Sequence, residues 1–486
     1  MKIQSLVREN NSLVPVEVEL SFLPGLPQIQ FLGLPDQVIK ESIHRIKSAI
    51  RSQGFEFPKA QSILVNIRPN HFKKSSRGLE LAVAAGILWE MEQLPKPKNS
   101  YSLIYGELGL KGEVYEPEDL IRDFEEESDA KTILTGRPLA AQGASFQRAT
   151  ISELRELASP TLVSAQNRHY KIERPSFGLD LYFPPKQAKF LELVALGEHA
   201  ILLAGPSGSG KSTMAKTLST LLASPTQDDM HEIIKINRVA NKAPPCWRPV
   251  VQPHHSTSPL GLIGGGVPPT MGEIGRAHKG ILILDELLEF HPRGQEALRE
   301  PMEEFVIRLR RGRYTDEYPA ESLVIATTNL CPCGDWVPDT KVFCARSLRK
   351  CQSYTERLSG PLVDRFQLLF FTQKKETGAI VLGADILRKL EEVRAFREGL
   401  AVKDPRFLKL ASRWSLDELN AGLPSFYREQ LFPQELSSRR RELSTLRVAR
   451  SLADLALSVE MKPEHVEEAL MYSYQSFEAL KRLGGR

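Results

Sequence analysis

The chain has 486 residues, with 41% hydrophobic and 26% charged side chains; that length exceeds what one hydrophobic core organises, and the composition excludes disorder as the main state. No apolar run reaches the roughly 18 residues that a membrane-spanning helix needs, so a membrane protein is not expected. Sixty-four basic against sixty acidic residues leave a net charge of +4, too balanced for a polycation, so any affinity for nucleic acid must come from local patches.

The opening Met1-Lys2-Ile3-Gln4-Ser5 has no apolar stretch behind its basic residue and does not read as a secretory signal; a cytoplasmic location is expected. Of five cysteines, Cys331, Cys333, Cys344 and Cys351 fall close together, which in a reducing compartment suggests metal ligands rather than disulfides. Cys246 stands apart and is expected to be a small buried residue.

In chain order, residues 1–165 mix strands with helices. Val14 to Leu20 and Ser62 to Ile67 have strand patterning, whereas Val38, Ile39, Ile43, Ile46 and Ile50 recur at helical spacing. The acidic stretch from Glu113 to Asp129 reads as a solvated face and loop. Residues 166–185, polar and then proline-bearing, read as a linker. Residues 186–375 alternate apolar strands with helices, which predicts a parallel sheet covered by helices. Residues 376–486 are almost wholly helical.

His199 to Ala204 reads as a strand, followed at once by Gly205-Pro206-Ser207-Gly208-Ser209-Gly210-Lys211-Ser212 and a helix beginning near Thr213. This is G-x-x-x-x-G-K-[ST] in its strand–loop–helix setting, which predicts ATP binding. Glycines let backbone N–H groups turn toward the phosphates, Lys211 reaches the β- and γ-phosphates, and the Ser212 hydroxyl ligates Mg²⁺. A second strand, Ile281 to Leu284, ends in Asp285-Glu286. Asp285 suits the Mg²⁺ shell and Glu286 suits orientation of the attacking water. A third, Leu323 to Thr328, ends at Asn329, read equally as a sensor of the γ-phosphate and as a strand-ending turn residue. Between them, Phe305 to Tyr314 alternates apolar residues with arginines before Gly312 and predicts a hairpin.

Together with the P-loop, the runs Pro253-His254-His255-Ser256, Gly264-Gly265-Gly266, Gly272 to Gly280, Cys331-Pro332-Cys333-Gly334 and Ser359 to Phe366 resemble the magnesium-chelatase-like AAA+ proteins of the ComM/YifB type. Gly33-Leu34-Pro35-Asp36, Lys40-Glu41-Ser42, Gly54 to Pro58 and Gly106-Glu107-Leu108 extend the likeness toward the N-terminus. The paired histidines are adjacent on an extended segment and suit a packing or polar-network role better than one shared metal ion.

The resemblance implies an α/β and α+β multidomain protein. Its parts would be an N-terminal fold like ribosomal S5 domain 2 and the Lon protease domain (1–165), a P-loop AAA+ core (186–375) with a Cys-rich insertion at 331–351, and a helical C-terminal lid (376–486). It implies a homo-oligomeric ring, expected to be a hexamer, in which Arg365 is the arginine finger for the neighbouring subunit's ATP; a structural salt bridge is the alternative for that residue. Arg440 falls at the sensor 2 position, in a run of three arginines that leaves the register open by one, with Ser438 expected to cap the helix. The likeness aims the hairpin at the pore, where Arg308, Arg310, Arg311 and Arg313 would track a DNA backbone, against the alternative of a charged edge that discourages aggregation. The cysteine spacing departs from the family's C-x-C, so a structural Zn²⁺ requires Cys351 to swing in.

The expected function is an ATP-hydrolysing motor on single-stranded or branched DNA, driving branch migration of recombination intermediates in natural transformation, with recombination proteins as further partners. Two other readings are a chelatase motor subunit, for which no D-x-S-x-S motif is found, and an ATP-regulated adaptor. A Ser-Lys peptidase based on Lys73-Lys74-Ser75-Ser76 is disfavoured, because such a dyad needs a lysine held near the serine in a dry pocket and the segment after Gly106-Glu107-Leu108 is predominantly acidic.

Overall fold

The computed structural model describes residues 1–9, 12–32, 37–69, 78–96, 102–117, 119–120, 132–137, 146–164, 170–240, 242–266, 270–311, 314–332, 334, 353–354, 356–358, 360–373, 379–420 and 438–483. It divides into two compact units, Met1–His169 and Tyr170–Arg486. Among the described residues no helix is long and apolar enough to cross a membrane.

In the first unit, β1 (Lys2–Glu9), β2 (Ser12–Pro24), β3 (Ile29–Phe31) and β4 (Gln61–Arg68) form a sheet in the order β1-β2-β4-β3, with α1 (Gln37–Ser52) between β3 and β4. The strand pattern read at Val14 to Leu20 continues to Pro24, because both edges of β2 are paired, with β1 and with β4. Helix α2 (Leu79–Glu90) carries apolar residues on every side and is buried from Leu79 to Trp89, as such a helix must be. Its one acid in that stretch, Glu80, is almost fully buried and accepts from Ser42 Oγ (2.6 Å), Arg45 Nε (2.7 Å) and the Leu108 amide (2.9 Å). Three segments distant in sequence are thereby tied by a carboxylate that would be costly to bury unpaired.

A second sheet runs in the order β8-β7-β6-β5, from β5 (Leu103–Ile104), β6 (Ile133–Thr135), β7 (Arg148–Thr150) and β8 (Thr161–Val163). Here the solvated face expected from Glu113 onward is corrected. Val114 and Glu116 are buried, and Glu116 pairs with Arg148 at 3.0 Å. Its partner lies 32 residues away, beyond the reach of a local charge count. Residues 118 and 121–129 of that stretch, Gly33-Leu34-Pro35-Asp36 and Lys73-Lys74-Ser75-Ser76 lie outside the described residues.

In the second unit, the latter part of the expected linker is packed structure. Arg174 donates to the carbonyls of Thr220 and Leu222 and lies over the Trp247 ring, and β9 (Tyr182–Phe183) pairs with a late strand, Val381–Leu382. Prolines there set extended backbone without loosening it. Helix α3 (Pro185–Gly197) starts with proline at its first position and ends on Glu198 in the left-handed conformation.

The central sheet is parallel and has five strands, β10 (Ile201–Ala204), β11 (Val250–Val251), β12 (Ile281–Leu284), β15 (Leu323–Thr328) and β16 (Leu368–Phe371), in the order β11-β12-β15-β10-β16. The inserted hairpin consists of β13 (Val306–Arg311) and β14 (Tyr314–Pro319). Strands β10, β12 and β15 are buried along their whole length, which explains their continuous apolar runs. Helices α4 (Lys211–Leu221), α5 (Arg299–Glu304) and α6 (Gly360–Val363) belong to this body, and α7 (Gly383–Ala401), α8 (Arg439–Leu455), α9 (Pro463–Leu470) and α10 (Ser476–Leu483) are among the helices that follow. Ser438 occupies the N-cap position of α8, but its hydroxyl makes no capping bond, contrary to expectation. Cys246 is exposed rather than buried.

His199, fully buried just before β10, lies 2.8 Å by Nδ1 from Gln367 Oε1 and 2.8 Å by Nε2 from Ser451 Oγ. With the Gln367 oxygen as acceptor, Nδ1 carries the proton and Nε2 accepts from the serine, so the neutral ring is the form that fits. Burial pushes its pKa from 6.5 down to about 4. The neutral ring therefore stabilises the fold fully above pH 6.5, and that contribution is lost as pH falls toward 4, since the unfolded chain then binds the extra proton. At 1.36 kcal/mol per pKa unit the loss is about 3 kcal/mol. His199→Gln is expected to flatten the dependence of urea-unfolding stability on pH between 6.5 and 4; an unchanged slope would assign that dependence to other groups.

Candidate functional site

The carboxyl ends of β10, β12 and β15 meet at one edge of the sheet and deliver Gly205, Asp285 and Asn329 to it. The loop from Gly205 to Gly210 turns with Gly208 at φ +74° and Gly210 at φ +87°, conformations open to glycine at little cost. Gly205 faces Thr372, whose Oγ1 would lie 2.3 Å from an added Cβ. Helix α4 begins at Lys211, two residues before the expected start, so the amides of Lys211, Ser212 and Thr213 form its first turn. Pro206 O accepts from Ser209 Oγ at 2.7 Å.

Lys211 is buried, and its Nζ donates to Gly205 O (2.9 Å), Pro206 O (2.8 Å) and Asn329 Oδ1 (3.1 Å). Burial pushes its pKa below the ordinary lysine value, opposed by the charges of Asp285 and Glu286. Asn329 therefore lies against the P-loop lysine rather than merely ending a strand. Ser212 Oγ stands 3.4 and 3.5 Å from the two Asp285 oxygens. A hydroxyl and a carboxylate at this separation form a hard, oxygen-only donor set, the chemistry that suits Mg²⁺ with its phosphates and waters. Glu286 is exposed at φ +55°, an uncommon conformation for a residue with a side chain, and its amide donates to Thr327 Oγ1 at 3.0 Å.

Three residues at this edge escaped sequence reasoning. Thr327 Oγ1 donates to Asp285 Oδ1 at 2.5 Å while accepting from Glu286, so one hydroxyl orders both acids. Thr372, fully buried after β16, pairs with Ser209 Oγ at 2.6 Å and braces the P-loop. Gln252, beyond β11, reaches Asp285 Oδ2 at 3.5 Å. The available signal for the two threonines was a hydroxyl residue in or directly after an otherwise apolar buried strand.

Arg365 lies beyond the C-terminus of α6, folded against its own chain. Its Nε donates to Arg299 O (3.1 Å), Nη1 to Pro361 O (2.6 Å) and Nη2 to Glu303 Oε2 (2.7 Å). Arg440 pairs with the other oxygen of Glu303, so the residues expected as finger and sensor 2 share one carboxylate. The adjacent Arg441 points inward and is buried. Arg308 of the hairpin is met by Glu300 (3.0 Å), Glu317 (3.2 Å) and Glu304, so its charge is already compensated. Arg313 and the side chains of Arg310 and Arg311 lie outside the described residues.

Of the cysteines, Cys331 is buried, while Cys333, Cys344 and Cys351 lie outside the described residues, and the zinc expectation with them. Among the described residues no group of three or more His, Cys, Asp or Glu could hold a metal ion. The turn after Cys331 touches the glycine-rich loop: Gly334 O accepts from the Ser207 amide at 2.8 Å. His254 accepts from the Ser256 amide, with its ring 4.1 Å from that of His255, forming a local turn.

Against known proteins, residues 181–380 match the family model described as magnesium chelatase, subunit ChlI, and residues 16–129 match that described as subunit ChlI of Mg-chelatase. The chain is 31% identical over 497 residues to YifB of Salmonella typhimurium and 30% identical over 492 residues to YifB of Escherichia coli, covering 94% of each chain in both pairs. It is 28% identical over 486 residues to the competence protein ComM of Haemophilus influenzae, covering 95% of this chain and 94% of that one.

Proposed function

The chain belongs to the magnesium-chelatase-like family of the ComM/YifB type, and on that premise we propose that it is a ring-forming AAA+ ATPase that moves DNA, driving branch migration of recombination intermediates in natural transformation. The observation that carries the ATPase reading is the meeting of Lys211, Ser212, Asp285, Glu286 and Asn329 at one sheet edge. ATP would lie on the P-loop, with Lys211 exchanging its three protein acceptors for phosphate oxygens. Ser212 and Asp285 would hold Mg²⁺, which when bound neutralises the charge of the β- and γ-phosphates. Thr327 fixes the Asp285 carboxylate, leaving Glu286 to orient water and Asn329 to contact the γ-phosphate. Arg365 would act on the neighbouring subunit's ATP, which requires a head-to-tail ring. In this reading residues 1–165 form the S5 domain 2-like domain and 376–486 the lid.

The DNA part is supported by the kinship with a competence protein and by the arginine-rich hairpin. The neutralisation of Arg308 by three carboxylates favours a second reading, an ATPase that remodels a protein partner, as a chelatase motor subunit would. One experiment separates them: ATP turnover of the purified protein with and without a four-way DNA junction, alongside loss of the junction on a native gel. Junction-stimulated turnover with strand dissociation is the expected result; turnover indifferent to DNA would overturn the DNA motor and leave the ATPase.

A further inference from the structure

Arg441 sits at the start of α8, among buried residues, with its side chain 7% exposed. Its Nη1 donates to Phe366 O (3.0 Å) and Ser473 O (3.2 Å), and its Nη2 to Asp364 Oδ1 (3.1 Å) and Val363 O (3.5 Å). The guanidinium also lies over the Phe477 ring, 3.8 Å from its centroid. Two of those four acceptors, Asp364 and Phe366, flank Arg365, and a third, Val363, ends α6 directly before that turn. The fourth, Ser473, is in a π-helical turn at Met471–Gln475, where the i→i+4 pattern of an α-helix gives way to i→i+5.

We propose that Arg441 is the positioning residue for Arg365: it locks the turn bearing Arg365 to α8, so that the C-terminal helices and the finger move as one piece. The inference rests on the reading of Arg365 as a finger acting in trans. The turn follows a four-residue helix and has little regular structure of its own. A planar fork that bridges the carbonyls of Val363 and Phe366 and the Asp364 carboxylate to another helix supplies the missing rigidity, in a way that the point charge of a lysine cannot. Arg440 grips the same region from the outside through Glu303, so consecutive residues of α8 hold the finger segment from two sides. Any shift of α8 in one subunit would thereby be delivered to the site of the next.

The test compares Arg441→Lys with Arg365→Ala in the full chain. Arg441→Lys is expected to bind a fluorescent ATP analogue as the native protein does, while turnover falls by between about tenfold and a hundredfold, the cost of a misplaced catalytic group. Mixing it with Glu286→Gln should restore turnover, because the Arg441→Lys subunit then receives a well-placed finger from its neighbour. Loss of turnover without recovery in assembled mixed rings, or no loss at all, would overturn the inference while leaving the finger reading intact, provided Arg365→Ala is inactive alone and recovers on mixing. Full turnover in Arg365→Ala would overturn the finger reading and this inference with it. Should Arg441→Lys not fold, Asp364→Asn, at a half-exposed position, weakens the same clamp and is put through the same comparison.

Discussion

Glu286→Gln is expected to leave ATP binding intact and to lower turnover by about 10²- to 10⁴-fold, the range that a positioned general base supplies. The geometry explains the separation of effects. Glu286 is exposed, and what holds it is its backbone: its amide donates to Thr327 Oγ1 and its carbonyl accepts from the Glu289 amide. Glutamine preserves that amide and the side-chain shape while removing the proton acceptor. Lys211→Ala acts at the earlier step. Its ammonium supplies three N–H donors that now hold Gly205 O, Pro206 O and Asn329. Each bond between such a group and a phosphate oxygen is worth about 1.5–3 kcal/mol, so loss of the side chain should weaken nucleotide binding by at least tenfold. Titration with a fluorescent ATP analogue and steady-state turnover check both variants. Native turnover in Glu286→Gln would remove it from the chemistry and leave Asp285 as the only acid of the pair in the site.

Arg365→Ala is expected to lower turnover of the assembled protein by about 10³- to 10⁵-fold, the effect of an arginine finger, without weakening ATP binding. The alternative is that Arg365 only joins α5 to the turn after α6 through Glu303 and the carbonyls of Arg299 and Pro361. On that account the substitution costs about 1 kcal/mol of stability or less, as partly exposed ion pairs do, and turnover survives. Mixing distinguishes inactivity in trans from damage to the subunit itself. Combined with Glu286→Gln, Arg365→Ala should recover turnover, since a ring of both contains sites with an intact Glu286 and a neighbour's intact Arg365. The bonds that Arg365 makes within its own chain imply that it must leave Glu303 to reach a neighbour's phosphate. The exchange is of one anion for another, so the charge stays compensated throughout.

The parallel core and the edge that carries the glycine-rich loop were legible in the chain because their determinants are contiguous. Strand, glycine loop and first helical turn lie within the stretch from Ile201 to Thr213, and the strands ending at Asp285 and Asn329 announce themselves by unbroken apolar runs that burial on both faces demands. Local order also sufficed for the hairpin at Val306–Pro319. What the chain by itself left open were choices between neighbours and contacts across distance. In the run of three arginines beginning at Arg439, periodicity leaves the register open by one. Packing decides: Arg440 meets Glu303, 137 positions away, on the surface, while Arg441 enters the interior to reach Phe366, 75 positions away. Thr372 braces Ser209 across 163 residues, and Glu116 is buried because Arg148 neutralises it, not because it lacks charge. Hydrophobic patterning is a property of adjacent residues and survives in one dimension. A polar side chain's role depends on which partner the fold brings within 3 Å, and only the tertiary structure supplies that.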